Sequence, residues 1–135
     1  MRRACFLDSS FWICLRDEQE RGHPRAREII QRLGTENALL VVTPLILAET
    51  HAYFCRAPRR ALQILDDLEN NPVMRCEPLF PADQEAAIRL LRQYTDKSYS
   101  FCDAFSFVIM RRLGLRRVLS FDEHFRQFGE FEIVS

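Results

Sequence analysis

The sequence predicts a three-layer α/β/α domain built around a central, mostly parallel, twisted sheet. Two observations carry this. Short apolar runs alternate with longer amphipathic segments along all 135 residues, and that alternation is the signature of parallel strands joined by crossover helices. Proline and glycine also punctuate the boundaries in helical order, with Pro24, Pro44 and Pro58 at starts and Gly34 and Gly114 at ends. A chain of this length fits one domain with one core, residues 1–135.

The elements follow in order. Ala4–Leu7 reads as a short strand. Ser9 or Ser10 can cap a helix running to about residue 20, closed by Arg21-Gly22. Pro24 opens a second helix with Ala26, Ile29, Ile30 and Leu33 on one face, stopped by Gly34. Residues 39–43 form a buried strand, and Pro44 begins a helix. Pro58 begins another, with Ala61, Leu62, Leu65 and Leu68 inward, ended by Asn70-Asn71-Pro72. Residues 73–79 make a weaker strand. Residues 82–94 make a helix whose Ala87, Leu90, Leu91 and Tyr94 share a face. After a polar loop, Phe101–Leu113 is apolar around most of its circumference and is expected at the centre. A strand at 117–121, a helical turn at 122–128 and a strand at 131–134 complete the chain.

Four carboxylates interrupt these apolar stretches: Asp8, Glu49, Asp103 and Asp122. Burying an anion without a partner is costly, so their recurrence points to a shared cation. An all-oxygen donor set suits Mg²⁺ or Mn²⁺. Asp8 and Asp122 follow strands, Glu49 lies on the helix after one, and Asp103 lies in the first turn of its helix. Ligands of open α/β sheets sit at the carboxyl ends of the strands, so all four can meet there. Taken singly, Asp8 and Asp122 could be helix caps and Glu49 a solvated residue. Unmetallated, such a group would repel itself and raise at least one pKa.

Other features narrow the field. Basic and acidic groups balance at 19 each, so net charge gives no support for non-specific nucleic-acid binding. The five cysteines are odd in number and lack Cys-x-x-Cys spacing, which argues against a disulfide framework or a zinc site. The basic start Met1-Arg2-Arg3 leads into an apolar run too short for a secretory signal, and nothing approaches a membrane span. A cytoplasmic protein is expected. His23, His51 and His124 read as surface or helix-end residues rather than ligands, and Asp96 as solvated.

The blocks Phe6-Leu7-Asp8-Ser9-Ser10, Leu47-Ala48-Glu49, Tyr99 to Ser106 and Leu119 to Phe125 together resemble the PIN-domain ribonucleases, in particular the VapC-type toxins of bacterial toxin–antitoxin pairs. The resemblance covers essentially the whole chain. It implies a metal-dependent endoribonuclease using Asp8, Glu49, Asp103 and Asp122 as catalytic and metal-holding acids, with Mg²⁺ or Mn²⁺ as cofactor. It places a supporting hydroxyl at Ser9 or Ser10 and another at Ser100. It also implies an RNA substrate, a protein antitoxin and a homodimer through the helices opened by Pro24 and Pro58. The principal alternative is a PIN scaffold without activity. A haloacid-dehalogenase phosphatase would need an Asp where Ser10 stands, and a receiver domain a lysine that Lys97 is misplaced to supply.

Overall fold

The computed structural model describes residues 3–135. Met1 and Arg2 of the basic start lie outside the described residues. The elements are β1 (Ala4–Leu7), α1 (Ser9–Arg16), α2 (His23–Thr35), β2 (Leu39–Val42), α3 (Pro44–Tyr53), α4 (Pro58–Asn70), β3 (Met74–Cys76), α5 (Pro81–Gln93), α6 (Phe101–Leu113), β4 (Arg117–Leu119), α7 (Glu123–Phe128) and β5 (Glu132–Val134). The sheet order is β3-β2-β1-β4-β5, and every neighbouring pair is parallel. The expected three-layer architecture is therefore present. From β1 the chain moves outward to β2 and β3, then returns to β4 on β1's other side. With right-handed crossovers this puts α1 to α4 on one face and α5 to α7 on the other. The direction reverses between β1 and β4, the position where open sheets of this type bind ligands.

The core explains why α6 is apolar nearly all round. Its residues Asp103 to Met110 are all buried, with Phe107 T-shaped against Phe125 and stacked on Phe128. The helix opens with a capping box, in which Asp103 N donates to Ser100 Oγ at 3.0 Å and Ser100 N to Asp103 Oδ2 at 2.9 Å. It closes on Gly114, whose φ of 69° is the left-handed conformation glycine adopts freely.

Several boundaries differ from expectation. The helix from Ser9 ends at Arg16, because residues 17–22 turn to bring Gly22 against it. A Cβ on Gly22 would lie 2.9 Å from Cys14 Sγ. Gly34 does not stop α2; the reversal falls at Asn37, with φ of 54°. The strand expected over 73–79 is only Met74–Cys76, and that over 117–121 ends at Leu119. On α4 the inward positions are Ala61, Ile64 and Asp67, whereas Leu62 is 64% exposed. The stripe is rotated because a buried acid occupies one of its positions: Asp67 Oδ2 accepts from Trp12 Nε1 at 2.9 Å and Arg16 Nε at 2.8 Å.

Candidate functional site

Asp8 caps the step from β1 into α1, and its main chain stays in the sheet by donating to Leu119 O at 3.0 Å. Asp122, the N-cap of α7, follows the neighbouring β4. Asp103 enters from the first turn of α6 and Glu49 from α3. The fold thus brings all four acids to the carboxyl end of the sheet around the β1/β4 reversal.

Asp8 is 4% exposed. Its Oδ2 accepts from Ser10 Oγ at 2.7 Å and from Ser120 Oγ at 2.9 Å. Burial raises its pKa to about 6; these hydrogen bonds oppose the shift, and the charges of Asp103 and Asp122 add to it. The repulsion expected from the sequence is present. Asp103 Oδ2 lies 2.6 Å from His124 Nδ1, and Asp122 Oδ1 accepts from His124 N at 2.9 Å. One donor atom each from Asp103, Asp122 and His124 fit within 4.8 Å of one another. Glu49 is exposed at the rim, where Ser9 Oγ hydrogen-bonds its Oε1. The Cys102 thiol is pushed up in pKa by burial first, then by the charges of Glu49, Asp8 and Asp103, which ties Glu49 to the same field.

Both candidate serines contact an acid: Ser10 Oγ donates to Asp8 and Ser9 Oγ to Glu49. Ser100 holds the main chain of Asp103. Asp96 lies in the exposed loop beside Lys97. His23 and His51 make no hydrogen bond to the acids. His124 lies at a helix end, as expected, in the first turn of α7, but is not on the open surface. It is half-buried, in contact with Asp103, and edge-on to Tyr99. Ser120 was also missed. It is fully buried and links Asp8 to Asp122, whose N–H donates to its hydroxyl at 3.0 Å. The available signal was a lone hydroxyl ending an apolar strand just before an acid.

Three acids retain one oxygen without a protein hydrogen bond among the described residues: Asp8 Oδ1, Asp103 Oδ1 and Asp122 Oδ2. No arginine or lysine among the described residues pairs with any of the four. Beside Glu49 opens a groove of about 940 Å³ lined by Leu45, Leu79, Phe80, Phe101 and Phe105 among others.

The PIN domain family profile matches residues 5–130. The chain belongs to the PIN-domain family. It is 27% identical over 129 residues to VapC20 of Mycobacterium tuberculosis, a 23S rRNA-specific endonuclease, covering 95% of this chain and 96% of that one. The crystal structure of VapC20, described as a Sarcin-Ricin loop cleaving toxin, superposes with a TM-score of 0.85 at 26% identity over 97% of this chain and 99% of VapC20. VapBC2 from Rickettsia felis, bound to a promoter DNA fragment, has a TM-score of 0.69 at 10% identity, covering 97% of each chain, and shares the fold. FitAcB from Neisseria gonorrhoeae does so with a TM-score of 0.69 at 15%, covering 97% and 96%.

Proposed function

We propose that this PIN domain is a metal-dependent endoribonuclease and the toxin of a toxin–antitoxin pair. The observation that carries the proposal is Asp8, a buried carboxylate with hydroxyl partners and no basic one among the described residues, set beside Asp103 and Asp122. Such a group carries its charge at a cost, which its raised pKa reflects, and a cation nearby would remove that cost. Oxygen donors with one free lone-pair atom on each of three acids fit a divalent ion. Asp8, Asp103 and Asp122 would hold it, with Glu49 at the rim, and it would make a bound water nucleophilic and offset charge on the phosphate oxygens.

The protein's own part is positional. Ser10 and Ser120 both bind Oδ2 of Asp8, fixing the carboxylate and leaving Oδ1 available. Phe121 N donates to Ser10 Oγ at 3.0 Å, so the hydroxyl is itself held. The capping box orients Asp103 in the same way, and Ser9 restrains the exposed Glu49.

The substrate is RNA in a single-stranded or looped region, and the target of VapC20 makes a ribosomal RNA loop the first to try. The apolar groove beside Glu49 suits an antitoxin segment carrying apolar residues and an arginine. Leu62, exposed on the helix opened by Pro58, supports a homodimer through that helix. No helix among the described residues is long and apolar enough to cross a membrane, and the reading places the protein in the cytoplasm. In the test, purified protein cleaves an RNA hairpin with Mg²⁺ or Mn²⁺ and stops in EDTA, and Asp8→Asn or Asp103→Asn lowers the rate by about 100-fold or more. Cleavage that persists in EDTA and in both variants would overturn the proposal.

A further inference from the structure

We propose that His124 is a nitrogen ligand of the cation and biases the site toward a transition ion such as Mn²⁺ over Mg²⁺. This rests on the metal-dependent reading above and adds a residue that the four-acid pattern leaves out.

Three observations carry it. The first is spacing. His124 Nδ1 lies 2.6 Å from Asp103 Oδ2 and 3.5 Å from Asp122 Oδ1. Those contacts hold the imidazole against both acids. One donor atom each of Asp103, Asp122 and His124 fit within 4.8 Å of one another. That is close to the roughly 4.2 Å that separates opposite donors on an octahedral ion of about 2.1 Å bond length, so the imidazole stands within reach of the ion the acids would hold.

The second is orientation. Main chain and ring are both held. Its own main-chain N–H donates to Asp122 Oδ1, its edge meets Tyr99 with centroids 5.6 Å apart, and its Nε2 lies 3.3 Å from Ser98 Oγ. Histidine ligands characteristically have the far nitrogen engaged by an oxygen, which fixes ring and tautomer. Without an ion, a proton on Nδ1 serves Asp103. With the proton on Nε2, Ser98 accepts it and Nδ1 presents its lone pair. Both tautomers have a partner, so the switch leaves neither nitrogen stranded.

The third is chemistry. Imidazole is a softer donor than carboxylate and contributes little to Mg²⁺, which prefers oxygen and sheds water reluctantly. Mn²⁺ accepts nitrogen with less penalty. A purely acidic set would bind both ions on similar terms, whereas a mixed set separates them.

The competing role is that His124 only positions Asp103 through a hydrogen bond, which would affect both ions alike. Calorimetric titration of Mn²⁺ and of Mg²⁺ into the full chain and its His124→Asn variant distinguishes the two. The expected result is a loss of about tenfold or more in Mn²⁺ affinity and less than about threefold in Mg²⁺ affinity. Pulsed electron paramagnetic resonance of the Mn²⁺-loaded wild type is expected to show nitrogen coupling from imidazole. This second measurement decides the matter even where the variant fails to fold. Equal weakening of both ions, unchanged affinities, or Mn²⁺ bound without nitrogen coupling would each overturn the ligand assignment while leaving the metal site standing. A wild type that binds neither ion would overturn the metal-dependent reading itself and this assignment with it.

Discussion

Two groups of buried acids in this molecule are solved in opposite ways. Glu77 and Asp83, 6% and 3% exposed, share Arg112. Its Nε donates to Asp83 Oδ1 at 2.9 Å and its Nη1 to Glu77 Oε1 at 3.0 Å. Asp67 is likewise clamped by Arg16 and Trp12. Asp8, equally buried, has only hydroxyl partners among the described residues, and its burial first, then its acidic neighbours, raise its pKa. Where the fold needs a buried carboxylate for structure, it supplies a guanidinium. Where it leaves the charge uncompensated, the acid takes up a proton more readily, as the raised pKa of Asp8 reflects, or meets a cation from outside. Burial of an acid alone therefore does not mark a site; burial without a fixed cation does.

The largest expected effect breaks the compensated side. Arg112→Met leaves Asp83 and Glu77 without their cation and should cost about 3 kcal/mol or more, measured by urea unfolding. A loss under about 1 kcal/mol would mean that the guanidinium is not what stabilises those acids.

The next sharpens the uncompensated side. The folded-state pKa of Asp8, about 6, exceeds its ordinary value of 3.8. The folded state therefore binds more protons between those values, so this group's contribution is fully present below about pH 4 and is lost as pH rises through about 6. In EDTA, Asp8→Asn should remove that dependence and stabilise the protein at pH 7 by on the order of 2 kcal/mol. Parallel pH–stability curves for the two proteins would contradict the burial cost assigned to Asp8.

Smaller effects refine the contrast. Trp12→Phe removes one of the donors to Asp67, which retains Arg16, and leaves a small void where part of the fully buried indole lay; a loss of about 1.5 kcal/mol is expected from thermal unfolding. Asp122→Asn keeps a good N-cap and should change stability by under about 0.5 kcal/mol. Its cleavage rate should fall less than that of Asp8→Asn, because Asp122 is half-exposed where Asp8 is buried. A larger fall would place Asp122 at the centre of the site.

Much of this was legible in the chain. Alternating periodicity gave the parallel sheet, and acids set in apolar stretches led to Asp8, Glu49, Asp103 and Asp122. The same logic failed at Asp67 and Asp83, which lie on amphipathic helices where an acid looks solvated, and at Glu77, which follows the charged Arg75 at the end of a weak strand. Their burial depends on arginines at distant positions, Arg112 lying 35 residues from Glu77 and Arg16 51 residues from Asp67. Leu62 was misplaced for the same reason, since the buried Asp67 turns the α4 stripe. The contacts of Ser120 and His124 with the acids were not foreseen, because a hydroxyl and a helix-end imidazole carry no periodic signal. Only the adjacency of β1 and β4 and the packing of α7 near α6 give them their roles.

The central claim is that the uncompensated acids form a cation site, and thermal unfolding at neutral pH tests it most directly. Divalent metal that binds the folded state alone must stabilise it in proportion to the logarithm of concentration over Kd. Millimolar Mn²⁺ should raise the melting temperature of the wild type. The rise should vanish in the Asp8→Asn, Asp103→Asn double variant and weaken as falling pH protonates the carboxylates. A wild-type melting curve indifferent to millimolar Mn²⁺ would contradict the claim, and the PIN scaffold without activity would then be the better reading.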